Sequence, residues 1–338
     1  MTRRQALFAT FGVFAVLLGT AIAVFDHASR AAMRTPLAVN HPVLFTVPAG
    51  ADLSRVAARL ASAGLVTNRA YFEWRVRWAG LAGALQAGTY EVLTGDTAAD
   101  LLEKIVKGRT KTFAITFVEG TRFAELRQVL DAHAYVVHSL NGRSDEEIMQ
   151  ALGQSGQPAE GWFFPSTYHF KADTTDLALL KRAHERMRKM LDDAWQRRAA
   201  QLPYKTPYEA LIMASIVEKE TARAEERPAI AGVFVRRLAM GMKLQTDPTV
   251  IYGMGDSYQG NIRRADLERD TPYNTYTRKG LPPTPIALPG AAALEAALAP
   301  APGNALYFVA RGDGSHEFSA SLTEHDEAVR RYQLRGSR

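Results

Sequence analysis

The chain has 338 residues, a formal net charge of +6 and no cysteine. That length suits about two domains with a sizeable core, and the missing cysteines exclude a disulfide framework, a thiolate nucleophile and cysteine-ligated zinc without identifying a compartment. The basic balance suits an anionic partner; Lys and Arg are dispersed and no nucleic-acid reading motif accompanies them, so no nucleic-acid role is assigned.

Arg3 and Arg4 precede an uncharged stretch, Ala6 to Phe25 (ALFATFGVFAVLLGTAIAVF). About 20 apolar residues in a helix span a bilayer core. Positive charge before the stretch favours a short cytoplasmic tip, with the rest of the chain outside. Arg30 and Arg34 follow, so the charge bias is modest. Ala21-Ile22-Ala23 also fits a signal-peptidase site, which would make the stretch a cleaved signal peptide. A buried core helix is a third reading. The first two both place residues 30–338 outside the cytoplasm.

Residues 26–42 carry Pro36 and Pro42 and little periodicity, as a linker would. Val43 to Pro48 reads as a strand. Asp52 starts a helix through Leu53, Val56, Ala57 and Leu60. A second helix follows Asn68, with Tyr71, Phe72, Trp74 and Trp78. Its Trp74-Arg-Val-Arg-Trp78 segment interleaves basic and aromatic residues. That pattern suits a binding face, but i, i+4 spacing favours two core-facing tryptophans with solvated arginines. Leu85 to Val92 reads as a strand, Thr97 to Val106 as an amphipathic helix and Thr112 to Val118 as a further strand. This makes a small α+β domain with no catalytic constellation.

Helices are predicted next at 122–133 and 144–152. A longer one starts at Asp176, with Leu177, Leu180, Met187, Leu191 and Trp195 as a core stripe. Another spans Pro207 to Arg227, and others cover 228–240 and 290–299; Leu306 to Ala310 reads as a strand. Within the 207–227 helix, Leu211, Ala214, Ser215 and Glu218 share a side that is otherwise small or apolar. Glu220 lies about 200° round the axis, on a face expected to be solvated or paired. A carboxyl buried beside apolar groups holds its proton more tightly and can donate it to a glycosidic oxygen. The competing reading of Glu218 is a buried carboxylate paired with Arg or Lys. Downstream, Lys243 to Tyr252, Thr271 to Tyr276 and the stiff Gly280-Leu-Pro-Pro-Thr-Pro-Ile286 loop offer amides, hydroxyls and tyrosines. Such groups bond to and stack on sugars, although ordinary loops hold them too. His316-Glu-Phe-Ser319 lacks the second histidine of a zincin motif. His316 and His325 read as local hydrogen-bonding groups, and neither a metal nor a cofactor is expected.

Several blocks resemble the YceG-like (MltG) family of endolytic murein transglycosylases. They are Ala214-Ser-Ile-Val-Glu-Lys-Glu-Thr221, Leu244-Gln-Thr-Asp-Pro-Thr-Val-Ile-Tyr-Gly253, Pro272-Tyr-Asn-Thr-Tyr276 with Lys279-Gly-Leu-Pro-Pro283, Glu160-Gly-Trp-Phe-Phe-Pro165 with Thr167 and Tyr168, and His316-Glu-Phe-Ser319 with Thr323, Glu324 and His325. The resemblance runs over roughly 43–330. It departs at Thr284, where the family often has a small residue, and at Trp162 and Phe163, where tyrosine or leucine is frequent.

The chain is read as a tip and transmembrane anchor at 1–29 and a linker at 30–41, and the resemblance implies an α+β remainder with a LysM-like domain at 42–115 and a catalytic domain at 116–338. It implies Glu218 as acid/base, and a groove built from segments 244–252 and 272–286. Hydrolytic glycosidases usually need two carboxylates, whereas a lytic transglycosylase manages with one. That one protonates the leaving oxygen, then takes the proton of the C6 hydroxyl as this attacks C1, giving a 1,6-anhydro end. Gln245, Asn274 and Tyr276, with Thr246 and Tyr252, are the candidates for orienting the glycan. Asp247 is either a second carboxylate or a loop cap. Ser215 either bonds Glu218 or serves as a small packing residue. Implied partners are peptidoglycan glycan strands and the inner membrane, with glycan synthases and transpeptidases. A hydrolytic muramidase and a non-catalytic peptidoglycan-binding scaffold remain the alternatives.

Overall fold

Side-chain caps set the starts of seven helices in the computed structural model, which describes residues 3–334. Its first unit runs to Phe113 and includes Phe170–Ala172; the second comprises Ala114–His169 and the chain from Asp173 onward. The architecture is mixed α+β, with an apolar N-terminal helix and two-stranded sheets only among the described residues.

The first unit begins with α1 (Arg3–Arg34). Among the described residues it is the one helix long and apolar enough to cross a membrane, and its residues from Thr10 to Val24 are exposed. The expected linker is shorter than its sequence pattern: residues 26–34 continue the helix, because Ser29 and Met33 are buried against this unit. Then come β1 (Val43–Val47), α2 (Leu53–Ser62), α3 (Arg69–Trp78), β2 (Gly88–Val92) and α4 (Ala98–Val106). Asp52, Asn68 and Thr97 cap the three helices through their side-chain oxygens, as short polar side chains do at N-caps. β1 pairs antiparallel with β2, Phe45 opposite Tyr90. These residues enclose, with Leu60, Phe72, Val76, Leu101 and Ile105, one apolar core. The tryptophans of α3 do not face that core. Phe72 and Val76 take the buried stripe, and Trp78 is 68% exposed.

β3 (Thr112–Thr116) and β4 (Thr167–Lys171) form the second sheet, and the division between units runs through both strands. In the second unit follow α5 (Phe123–Asp131), α6 (Asp145–Ala151), α7 (Asp176–Gln196), α8 (Pro207–Glu220), α9 (Arg227–Ala239), α10 (Asp247–Met254), α11 (Arg264–Glu268), α12 (Ala291–Leu298), the antiparallel hairpin β5 (Tyr307–Ala310) and β6 (His316–Ser319), and α13 (Leu322–Val329). The buried stripe of α7 runs through Leu179, Leu180, Ala183, Met187 and Leu191, so Leu177 and Trp195 lie at its margins. α8 packs against α7, α9, α10 and α12, and every residue from Ala210 to Val217 is buried. Small residues on α8 (Ala210, Ala214) and α12 (Ala293, Ala296, Ala297) are buried here, which lets helix backbones approach closely.

Candidate active site

Thr206 and Pro207 start α8, the hydroxyl accepting from the Glu209 amide at 3.3 Å. Proline at the first turn removes only an N–H that has no helical partner. The helix ends at Glu220, not at Arg227 as its periodicity predicted, because Thr221 is extended (φ −144°, ψ 137°). The chain then turns through Ala224–Glu226 and starts α9 at Arg227. Two straps hold this turn. Glu226 accepts from the His316 amide at 3.0 Å and meets His316 Nδ1 at 2.7 Å, and Arg223 donates to the Asp313 carbonyl at 2.8 Å.

The strapped turn brings Arg227 back to the end of α8. Its Nη2 donates to Glu218 Oε1 at 2.8 Å, and the Gly290 amide donates to Glu218 Oε2 at 2.9 Å. The Glu218 side chain is only 4% exposed. Burial pushes its carboxyl up; the Gly290 amide and Arg227 oppose that, Glu119 adds to it, and the net direction is upward. A Cβ at Gly290 would meet the Glu119 carboxyl, 2.1 Å from Oε1, so Glu119 reaches close over this backbone. The Glu119–Thr121 loop is itself pinned to the segment before α12, by Gly120 N to Leu288 O at 2.9 Å and Leu288 N to Thr121 O at 2.8 Å.

These groups line an open cleft of about 530 Å³, with Glu119, Thr121, Glu125, Lys219 and Arg227 around Glu218. A neighbouring hollow of about 440 Å³ shares Glu125 and Lys219 and adds Pro248, Ile251, Tyr252 and Tyr258. A further one, of about 540 Å³, shares Glu220 and holds Arg237, Gln245, Asp247 and Tyr276. Glu218 thus lines the hollow that shares residues with both of the others.

The other expected site residues separate into two groups. Gln245 is exposed, with positive φ (53°), and its side-chain oxygen accepts from Arg237 at 3.2 Å. Asp247 is exposed at the start of α10 and accepts from the Tyr276 hydroxyl at 2.5 Å; both face the hollow beyond Glu220 rather than the Glu218 cleft. Burial, then the bond to Asp247, pushes the Tyr276 phenol up. Tyr252 lines the hollow on the other side and donates to Glu160 at 3.1 Å.

Three residues are enclosed. Ser215 has no exposed surface; its hydroxyl donates to Ile212 O at 2.7 Å and accepts from the Ile286 amide at 3.0 Å, tying the proline-rich loop to α8. It therefore makes no bond to Glu218. Thr246 is 1% exposed and donates to Glu220. Asn274 is equally buried, its amide nitrogen donating to the carbonyls of Asp266, Leu267 and Arg269 while its oxygen accepts from the Tyr276 amide at 2.8 Å. These hydroxyl and amide groups are saturated inside the protein.

Glu220 is half-buried and partnered: it lines two of the hollows and accepts from Thr246. Burial pushes its carboxyl up to about 7, the hydrogen bond from Thr246 opposes that and Asp247 adds repulsion.

Sequence reasoning gave no role to Arg227, Gly290, Glu119 or Glu160. Glu160 accepts from the Phe123 amide at 3.0 Å and from Tyr252 at 3.1 Å, and burial pushes it up to about 7. The one available signal was the Glu160-Gly-Trp block itself. Arg227 and Gly290 carried none, since the latter is 72 residues from the carboxylate it serves.

The comparisons with known proteins agree over nearly the whole chain. The YceG-like family matches residues 45–331. A Bacillus subtilis (strain 168) protein named endolytic murein transglycosylase is 31% identical over 312 residues, covering 86% of this chain and 84% of that protein. A protein of the same name from Streptococcus pneumoniae serotype 2 (strain D39) is 29% identical over 333 residues; the match covers 87% of this chain but 59% of that longer protein. The 2.6 Å crystal structure of a yceG-like protein from Listeria monocytogenes superposes with a TM-score of 0.51 at 26% identity, covering 86% of this chain and 99% of the other. The chain belongs to the YceG-like family.

Proposed function

We propose that this protein is an endolytic murein transglycosylase, a lyase that cuts within peptidoglycan glycan strands and leaves 1,6-anhydro-N-acetylmuramic ends. The observation that carries the reading is Glu218: a carboxyl in the hollow that joins the other two, its proton affinity raised by burial, with two fixed donors on its oxygens. In this mechanism Glu218 starts as the acid and gives its proton to the oxygen leaving C1. The carboxylate so formed is held by the Arg227 guanidinium and the Gly290 amide, fixed donors that need no rearrangement as charge develops. It then takes the proton of the C6 hydroxyl as that oxygen bonds to C1. One proton leaves Glu218 and one returns, and no water is consumed.

The joined hollows suit an extended polymer better than a small molecule. Segments 244–252 and 272–286 supply Gln245, Asp247, Tyr252 and Tyr276 as glycan contacts, while Ser215, Thr246 and Asn274 shape the walls from behind. The antiparallel β1–β2 pair around α2 and α3 supports a LysM-like, glycan-holding reading of residues 42–115. α1 supports a single-pass anchor in the inner membrane with the catalytic unit in the periplasm. Cutting nascent strands there would limit their length, in the company of glycan synthases and transpeptidases.

The test uses the full chain in micelles with uncross-linked glycan strands, wild type beside Glu218→Gln, and mass spectrometry of the products. Internal fragments with anhydro ends are expected, reduced about a hundredfold to ten-thousandfold in the variant, the range for a general acid/base. Reducing ends would make the enzyme a hydrolase, with Glu119 and Asp247 as candidate second carboxylates. Absence of cleavage by either protein would point to a scaffold.

A further inference from the structure

We propose that the end of α3 and the loop after it, Trp78 to Leu85, lie in the headgroup layer of the bilayer that α1 crosses, so that the first unit meets the membrane at two places. This rests on α1 being a membrane span.

α3 runs antiparallel to the last turns of α1. Met33, near the end of α1, shares a small cavity with Asn68 and Phe72 from the start of α3. Two turns earlier, Asp26 accepts from Arg75 at 2.8 Å. The ring of Phe25 meets those of Tyr71 (4.9 Å between centroids) and Trp74 (5.6 Å), edge-on in both cases. Each step along α3 therefore moves toward the apolar part of α1. Ala6 to Phe25 as a helix is about 30 Å long, the thickness of a hydrocarbon core. Phe25 then marks its outer boundary, and Trp74 stands at that level. Trp78 lies one turn, about 6 Å, further toward the lipid.

The chemistry of this tip fits the interface. Trp78 stacks on Trp74 at 5.7 Å yet leaves 68% of its surface exposed. The residues from Trp78 to Leu85 (WAGLAGAL) include no charge, and Trp78, Ala79, Gly80, Ala82 and Gly83 are exposed. Tryptophan is enriched at the headgroup level, where an apolar ring with one N–H meets both lipid and water. The carboxylates at this height are matched by cations: Asp26 by Arg30 at 2.7 Å and Arg75 at 2.8 Å, and Glu73 by Arg69 at 2.6 Å. Arg77 pairs with Glu73 at 2.9 Å but keeps most of its side chain exposed, within reach of lipid phosphate. The aromatic and basic residues of Trp74-Arg-Val-Arg-Trp78 thus divide between ring insertion and headgroup contact.

The chain has no cysteine, so one introduced cysteine gives one spin label. The full chain, carrying either Ala82→Cys or Leu17→Cys, is reconstituted in nanodiscs of phosphatidylethanolamine and phosphatidylglycerol, and collision with oxygen is compared with collision with a water-soluble nickel chelate. Both labels are expected to favour oxygen, Leu17 more strongly than Ala82. A lipid-facing label at Leu17 with a fully water-facing one at Ala82 overturns the second contact and leaves the span standing. Water-facing labels at both positions overturn the span, and the second contact with it.

Discussion

Replacing Glu160 by Gln separates a buried ionisation from the hydrogen bonds around it. The carboxyl is 9% exposed and burial moves it from 4.5 to about 7. Below pH 4.5 it is protonated in the folded and the unfolded chain, and pH does not alter its contribution. Between pH 4.5 and about 7 the unfolded chain loses this proton first, so stability falls as pH rises. Above about 7 both states are ionised and the folded state bears the whole difference. A shift of this size corresponds to about 3 kcal/mol, at 1.36 kcal/mol per pH unit. Glutamine keeps an oxygen for the Phe123 amide and cannot ionise. Urea unfolding of the full chain in micelles, followed from pH 4.5 to 8, is therefore expected to favour Glu160→Gln over wild type progressively, by about 3 kcal/mol across the window. Parallel pH dependences in the two proteins would refute an elevated, buried carboxyl at this position.

Two further outcomes are expected. Arg227→Met removes the positive neighbour of Glu218 while leaving it buried, so the proton is held more tightly. The alkaline limb of the pH–rate profile is expected to move to higher pH while the maximal rate falls, since the carboxylate formed on donation loses its donor; a limb that stays in place or moves down would refute that pairing. Ser215→Ala leaves the Ile286 amide buried without its partner, which costs about 1–3 kcal/mol and is expected to show as a lower melting temperature. An unchanged melting temperature with weakened glycan binding would instead make Ser215 a substrate contact.

Residue order alone makes legible the helices with strong local signals, the apolar stretch at the N-terminus and the block that holds Glu218. Caps such as Asp52, Asn68 and Thr97 act within one turn, and a motif such as Ala214 to Thr221 is contiguous, so neither needs the fold to be recognised. Tertiary structure decided what depends on distant neighbours. Thr221 breaks the helix because the turn after it is strapped to the β5–β6 hairpin, and that break delivers Arg227 to Glu218. Gly290 reaches the same carboxylate from the start of another helix. Ser215, Thr246 and Asn274 have the chemistry of sugar contacts, but packing from outside their own segments encloses them. Trp78 has core chemistry at core spacing, yet Phe72 and Val76 occupy the buried stripe and leave it outside. A residue type and its spacing state what a side chain can do; which partners reach it is fixed by chain segments far away in sequence.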